Sequence, residues 1–261
     1  MTIILDYSLR LLVTLTLILS SLVFIEGTGA QSGYLPKDEV DALREIAEQL
    51  GKRDWDFSLN PCDGNPNWAT PMRAEMPLYT NTLNCSCSFP DNVCHVVSIS
   101  LKGQDLDGVL PPSLAKLPHI KYIALFRNYL NGTIPSEWAS TKLEYLSVGV
   151  NLLSGRIPTY LGNITSLIYV SLESNMFYGA IPAELGKLES LASLILNANN
   201  LSGELPMELN NLIKLQELRL SSNNFTGKFP SLETWSHLEK LEIQGSGLEG
   251  PIPESFSFLR I

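Results

Sequence analysis

Residues 191–206 read LASLILNANNLSGELP, and this stretch decides the fold because its pattern returns along most of the chain. An apolar residue opens each copy, further apolar residues alternate with polar ones, and an asparagine, a glycine and a proline follow in order. The copies begin at seven positions spaced 23 or 24 residues apart, namely Val96, Ile120, Leu143, Leu167, Leu191, Leu215 and Leu238. This period predicts a repeat protein, in which each unit is stable only when it stacks on its neighbours.

Each position of the repeat predicts one local feature. The alternation in Leu194-Ile195-Leu196 predicts a short strand with one buried face. Glycine permits the bend that comes later, and proline fixes an extended return path. The asparagine can satisfy backbone groups that the turning chain would otherwise bury unpaired, and it recurs as Asn128, Asn151, Asn175, Asn199 and Asn223. Stacked coils of this kind predict an α/β fold, a right-handed solenoid with a parallel sheet on its inner surface.

The start of the chain predicts export. Residues 11–25 form an apolar stretch that follows Arg10 and precedes small residues ending at Ala30. The stretch is short for a membrane-spanning helix, which needs about 20 apolar residues. We therefore expect residues 1–30 to be a cleaved signal peptide, and an uncleaved N-terminal anchor is the alternative.

Residues 31–95 are predicted to cap the seven repeats of residues 96–261, which have no C-terminal cap. Apolar residues recur at helical spacing between Pro36 and Leu50, and Gly51 stands just past the end. The apolar stripe of this helix would cover the open edge of the first repeat. We expect three aromatic residues to pack in the same cap as core residues rather than to bind a ligand, namely Trp55, Phe57 and Trp68.

All four cysteines lie in the predicted cap, at Cys62, Cys85, Cys87 and Cys94. An exported chain meets an oxidising environment, so we expect disulfides. Among the three possible pairings we favour Cys62 with Cys85 and Cys87 with Cys94, because a bridge between Cys85 and Cys87 would be strained. A zinc site that includes His95 is the alternative, but its spacing does not fit the usual Cys-x2–4-Cys pairs. We expect no metal and no other cofactor.

The exposed positions of the inner strands are the candidate ligand-binding site. Tyr122, Tyr145 and Tyr169 occupy the third position of successive units, so they should stack on neighbouring strands about 4.8 Å apart. Rigid aromatic and arginine side chains on a preformed surface are common anchors of a binding site. The other candidates nearby are Phe126, Arg127, Glu173 and Arg219. Alternatively, the tyrosine pairs only stabilise the sheet, and both interpretations can hold at once.

Five sequons predict N-glycosylation at Asn84, Asn131, Asn163, Asn200 and Asn224. None of these asparagines occupies an outward position of the repeat strands, so we expect glycans to leave the concave face open. A disulfide at Cys85 that forms first would block modification of Asn84.

Several classes of function are disfavoured. The net charge is -9 and Lys and Arg form no run, so nucleic acid and anionic membrane surfaces are not expected partners. Residues 245–250 match the dinucleotide pattern GxGxxG, but Pro251 and Pro253 remove the helix that this pattern requires. No motif places a nucleophile beside the three histidines His95, His119 and His237. The sequence therefore predicts a binding protein and not an enzyme.

The repeat phrase LxGxIP, the helical lid and Asn60-Pro61-Cys62 resemble the ectodomains of plant leucine-rich-repeat receptor-like serine/threonine kinases. The segments Cys85-Ser-Cys87, Cys94-His95-Val96 and 127–135 resemble the branch that also carries a malectin-like domain. The resemblance implies the plant-specific LxGxIP type of solenoid, at the cell surface or outside the cell. It also implies a peptide, a cell-wall carbohydrate or a partner ectodomain as ligand, and a possible co-receptor ectodomain.

The sequence departs from that family at its end. In the family a malectin-like domain, a membrane-spanning helix and a kinase follow, whereas this sequence stops at Ile261, where an eighth repeat would begin. No kinase function is carried over, and membrane attachment would need a downstream segment or an uncleaved N-terminal anchor. We expect a fragment or a truncated gene product. The alternative function is a free-standing secreted inhibitor of a pathogen wall-degrading enzyme, which uses the same repeat.

Overall fold

The computed structural model describes residues 33–71, 79–89, 93–229 and 234–250. The predicted signal peptide and the end of the chain at Ile261 lie outside these residues. One α-helix, α1, spans Lys37–Leu50. The strands within the described residues are β1 (Thr82–Ser86), β2 (His95–Ser100), β3 (Tyr122–Ala124), β4 (Asn131–Gly132), β5 (Tyr145–Ser147), β6 (Leu152–Gly155), β7 (Tyr169–Ser171), β8 (Met176–Gly179), β9 (Ser193–Ile195), β10 (Asn200–Gly203), β11 (Glu217–Arg219), β12 (Asn224–Phe225) and β13 (Lys240–Glu242).

The larger sheet confirms the predicted parallel sheet of the solenoid. It has eight strands in the order β1-β2-β3-β5-β7-β9-β11-β13, and one strand from each of the seven repeats pairs in parallel with the next. The remaining strand, β1, comes from the cap and pairs antiparallel to β2. We call the exposed side of this sheet the inner face. The leucines of the repeat pattern point the other way and form a continuous buried core from Leu101 to Leu220.

The repeated asparagine makes the backbone hydrogen bonds that the sequence predicted. Asn151 donates from Nδ2 to the carbonyl oxygens of Val148, in its own repeat, and of Leu125, in the preceding repeat, both at 3.0 Å. Its Oδ1 accepts from the backbone N–H of Leu130 at 3.0 Å. The residue before it, Val150, has φ 54, a conformation that a β-branched side chain rarely adopts. The asparagine network therefore holds a strained turn and joins successive coils.

A second parallel sheet, which the sequence did not predict, follows the asparagine turns. It contains β4, β6, β8, β10 and β12, and we call it the flank sheet. The sequence predicted only a glycine bend here, and that bend exists, because Gly155 at the end of β6 has φ 89. The second sheet forms because every coil follows the same path, so equivalent backbone segments of neighbouring coils come within hydrogen-bonding distance.

The described repeat prolines are extended as predicted, but the sequence did not predict the short helices that follow them. Each described repeat proline is extended but immediately precedes a five-residue 3₁₀ helix, as Pro135 does with φ -70 and ψ 139. These helices span Pro112–Lys116, Ser136–Ser140, Thr159–Asn163, Ala183–Lys187 and Met207–Asn211. A proline at this position is favourable because its fixed φ suits a helix start and its missing N–H needs no partner there.

The cap covers the first repeat as predicted. Leu43, Ile46 and Leu50 of α1 are fully buried, and Gly51 ends the helix in the left-handed conformation with φ 74. The backbone N–H of Val109 donates to the carbonyl of Gln49 at 2.8 Å, which ties the helix to the first coil. The predicted aromatic core is present, with Trp55 and Trp68 ring centroids 5.0 Å apart and Phe57 at their edges.

Two further contacts fix the cap. The structure joins Cys62 to Cys85 and Cys87 to Cys94, which is the pairing that the sequence favoured over a zinc site. Glu39, fully buried in the first turn of α1, accepts from the backbone N–H of Val96 at 2.9 Å and pairs with His95.

Within the described residues, no helix is long and apolar enough to cross a bilayer.

Candidate binding surface

Three tyrosines form a continuous stack on the inner face. Tyr122, Tyr145 and Tyr169 are direct partners in the register of β3, β5 and β7. The ring centroids of Tyr122 and Tyr145 are 4.2 Å apart with an interplanar angle of 12°, and those of Tyr145 and Tyr169 are 4.3 Å apart with an angle of 5°. The structure therefore brings together the three residues that headed the sequence-predicted site, with a spacing that follows from the strand separation.

The stack is packed against the sheet rather than free in solvent. Serines two residues further along two of these strands, Ser147 and Ser171, are buried on the same face of the sheet. Burial raises the pKa of Tyr145, and the neighbouring tyrosine adds to this effect. Burial is also the main cause of the raised pKa values of Tyr122 and Tyr169. The phenols are therefore neutral at physiological pH and act as hydrogen-bonding and apolar groups.

The geometry of the stack decides which ring faces a ligand can reach. Both faces of Tyr145 are covered by the flanking rings. The outer face of Tyr122 is turned towards Ser98 on β2, and the outer face of Tyr169 towards Ser193 on β9. Because serine is too small to cover a phenol ring, one open ring face is left at each end of the stack, and Tyr145 contributes its edge.

Phe126 and Glu173 lie on the same inner face, one on each side of Gly149. A Cβ atom added at Gly149 would come within 3.2 Å of the Phe126 ring and 2.8 Å of the Glu173 side chain. Gly149 therefore leaves the space into which both side chains lean. Glu173 accepts hydrogen bonds from Ser171 Oγ and Asn197 Nδ2, both at 3.3 Å. Arg127 is exposed but lies in the left-handed turn after the strand, with φ 60, and not on the sheet itself.

The C-terminal end of the inner face is charged. Arg219 on β11 binds Glu217 through Nε at 2.7 Å and also lies 3.7 Å from Glu242. Lys240 on β13 contacts both carboxylates, at 3.5 Å for Glu217 and 3.1 Å for Glu242. Arg219 was predicted as a ligand anchor, and the structure places it in this network of four charged residues. The inner face thus changes from aromatic to charged along the solenoid.

Asn84 lies closer to the inner face than the sequence indicated. Asn84 lies on β1, which extends the inner sheet, and it is exposed and paired with Ser98, the register neighbour of Tyr122. A glycan on Asn84 would therefore border the N-terminal end of the inner face. The sequence missed this because β1 lies outside the repeat pattern and pairs antiparallel to it.

A polar cleft of about 250 Å³ lies where the cap meets the first repeat. The buried ammonium of Lys52 pairs with Asp54 and with Gln104. Although burial opposes ionisation of Asp54, hydrogen bonds from Lys52 and Thr70 lower its pKa to about 2. The charged groups at the centre of this cleft thus satisfy each other, which favours a structural role. No group of three metal-ligating side chains occurs in the described parts of the chain.

Comparison with known proteins agrees with this architecture. A family model described as Leucine Rich Repeat matches residues 214–233, a range that includes β11 and β12. The chain therefore has a leucine-rich-repeat fold. Proteins similar to it include plant leucine-rich-repeat receptor-like kinases. One of them, a probable receptor-like serine/threonine-protein kinase of Arabidopsis thaliana, is 43% identical over 154 residues, which is 58% of this chain and 15% of that protein.

Solved structures of plant receptor ectodomains have the same fold. The Arabidopsis receptor kinase HAESA, in complex with the peptide hormone IDA and the co-receptor SERK1, is 29% identical with a TM-score of 0.70, over 85% of this leucine-rich-repeat chain and 36% of HAESA. The plant peptide hormone receptor RGFR1, in complex with RGF2, is 32% identical with a TM-score of 0.51, over 52% of this chain and 22% of RGFR1. The chain spans a small part of these relatives, and its assignment to the malectin-like branch stays a prediction.

Proposed function

We propose that this chain is an extracellular ligand-recognition segment of a receptor-like kinase and that it binds a peptide along its inner face. The observation that carries the proposal is the tyrosine stack, which presents two open ring faces and a ring edge on a preordered sheet. A surface that is already ordered binds at little conformational cost, because few side chains lose freedom on binding. The disulfides support a location in the secretory pathway and outside the cell.

The dimensions of the inner face suit an extended peptide. From Tyr122 on β3 to Lys240 on β13 the sheet advances by five strand steps, which is about 24 Å at about 4.8 Å per step. An extended chain covers this distance with about seven residues at about 3.3 Å per residue. HAESA and RGFR1, whose complexes contain a peptide hormone and RGF2 respectively, support a peptide rather than a carbohydrate.

The change of chemistry along the face predicts the character of the peptide. The open faces of Tyr122 and Tyr169 suit aromatic, proline or aliphatic side chains, which gain both apolar burial and ring contact. Towards β11 and β13, the carboxylates of Glu217 and Glu242 and the cations of Arg219 and Lys240 suit a polar or charged end. We expect an amphipathic peptide whose apolar residues face the stack.

The test is selection from a library of short synthetic peptides by the secreted chain. Peptides captured by the unmodified chain are measured again with a variant that carries Tyr122→Ala, Tyr145→Ala and Tyr169→Ala. Loss of an anchor at the centre of an interface costs about 2 kcal/mol or more, so we expect at least about a 30-fold loss of affinity. The matched control carries Tyr178→Ala on β8 and Tyr129→Ala two residues before β4, two exposed tyrosines outside the inner face, and should bind as the unmodified chain does.

Equal affinity of the stack variant and the unmodified chain would reject the inner face as the site. Capture of wall carbohydrates, with no peptide selected, would reject the ligand class. A circular dichroism spectrum of each variant shows that the solenoid is still folded, which is expected because the tyrosines lie on the exposed side of the sheet.

A further inference from the structure

The flank sheet carries an exposed apolar stripe. Five large apolar side chains on this surface are 40–55% exposed, namely Val109, Tyr129, Leu152, Met176 and Tyr178. They come from only four consecutive coils, and they account for most of the exposed large apolar residues outside the cap. Exposed apolar side chains grouped on one surface mark a site where a partner or an attached group can bury them.

Two sequon asparagines lie within this stripe. Asn131 on β4 is exposed and is the register partner of Val109 on one side and of Leu152 on the other. Tyr129 precedes it by two residues and is exposed, whereas Leu130 between them is fully buried, so the two exposed side chains alternate with a buried one. Asn200, the first residue of β10, is exposed and is the direct register partner of Tyr178 on β8. Side chains on neighbouring parallel strands in this register start about 4.8 Å apart.

The ring of Tyr178 has one occupied side and one open side. The guanidinium of Arg156, from the preceding coil, lies 6.0 Å from the ring centroid. Asn200 belongs to the following coil, so it lies on the other side of the ring. A group attached to the Asn200 amide would therefore reach the open face of Tyr178.

We propose that N-linked glycans on Asn131 and Asn200 cover this stripe, with the first N-acetylglucosamine of each packed against Tyr129 and Tyr178. One face of a pyranose ring carries mainly C–H groups, and burying it against an aromatic ring removes apolar surface of both from water. Asn131 donates from Nδ2 to the carbonyl of Asp107 at 3.3 Å. Glycosylation replaces one of the two Nδ2 hydrogens, so the other still serves this bond. The inference does not depend on the ligand of the inner face.

A third sequon on the same sheet provides an internal control. Asn224 on β12 is exposed as well, but its register partner is Ser202. Thr226, which follows Asn224 by two residues along the chain, is not aromatic either. A glycan on Asn224 therefore has no tyrosine to cover, although its sheet and exposure are the same.

The experiment is nitration of tyrosines on the full chain secreted by a eukaryotic cell, with each site read by mass spectrometry. We expect Tyr129 and Tyr178 to react several-fold more slowly than in the enzymatically deglycosylated chain. Asn200→Gln should restore the reaction of Tyr178 alone, and Asn131→Gln that of Tyr129 alone. Asn224→Gln should change neither, and Tyr34 in the cap should react equally in all variants. Trimming each glycan to a single N-acetylglucosamine should keep both tyrosines protected.

Three results would overturn the proposal. One is an absence of glycan on Asn131 and Asn200 in the secreted chain. Another is unchanged nitration of Tyr129 and Tyr178 after complete deglycosylation of folded protein. The last is protection that disappears on trimming to one sugar, because a distant glycan branch would then shield the rings instead of the first residue. Circular dichroism of each variant shows that labelling changes do not come from unfolding.

Discussion

Replacing Asn199 by alanine should destabilise the solenoid far more than replacing its neighbour Asn200. Asn199 Oδ1 accepts the backbone N–H of Phe177 at 3.1 Å, and its Nδ2 donates to the carbonyls of Leu172 at 3.0 Å and Leu196 at 3.1 Å. The two carbonyls each keep one further bond, from Asn175 and Asn223. The alanine variant therefore leaves the N–H of Phe177 without this acceptor and removes one of the hydrogen bonds that each of the two carbonyls accepts.

The magnitude follows from those three groups. An N–H left without an acceptor in this half-buried turn costs about 1–3 kcal/mol. Each of the two lost hydrogen bonds to a carbonyl costs about 0.5–1.5 kcal/mol. Asn199→Ala should therefore lower the free energy of unfolding by about 2–6 kcal/mol. Asn200 is exposed, and Asn200→Ala should cost within about 0.5 kcal/mol. Both values come from urea unfolding of deglycosylated protein, so that loss of a glycan does not enter. A loss below about 1 kcal/mol for Asn199→Ala, or equal losses for the two variants, would refute this account of the turn.

Two further predictions concern packing and pH. Gly186→Ala should destabilise the chain by about 1–3 kcal/mol, because the new Cβ would lie 2.3 Å from the carbonyl oxygen of Glu208 in the next coil. The control Ala139→Gly, at the equivalent position of the second repeat, should cost about 0.5–1 kcal/mol. A larger loss of unfolding free energy in urea for Ala139→Gly than for Gly186→Ala would contradict the packing argument. The tyrosine stack should lose stability in alkali: its folded pKa values lie above the ordinary value of 10.0, so the contribution is complete below pH 10 and falls as pH rises above it. Thermal unfolding between pH 9 and pH 11 should show this loss, and a variant with Tyr→Phe at positions 122, 145 and 169 should lose less; an equal loss would contradict it.

The proposed peptide site and the proposed glycan contacts lie on two different faces of the same coils. Tyr145 is half-buried and has rings on both sides, whereas Tyr178 is exposed and has one open face. Residue type alone did not separate them, because both are tyrosines in a strand of a repeat. The separation depends on which sheet each strand joins.

The sequence by itself determined the coil. The period of 23 or 24 residues fixes where each repeat strand of the inner face and each asparagine turn occurs, and the identity of the turn residues follows from local needs such as the hydrogen bonds of Asn151 and the φ of Gly155. These features depend on a coil and its immediate neighbours, so one repeat predicts the next. The row of Tyr122, Tyr145 and Tyr169 was predictable for the same reason.

Tertiary structure alone decided what lies beside each coil. The pairing of β1 with β2 put Asn84 on the inner face, and the flank sheet put Asn200 beside Tyr178. None of these contacts leaves a periodic trace, because the partners are variable positions in different coils or in the cap. Their neighbours are set by sheet register, which exists only once the backbone hydrogen bonds between coils have formed.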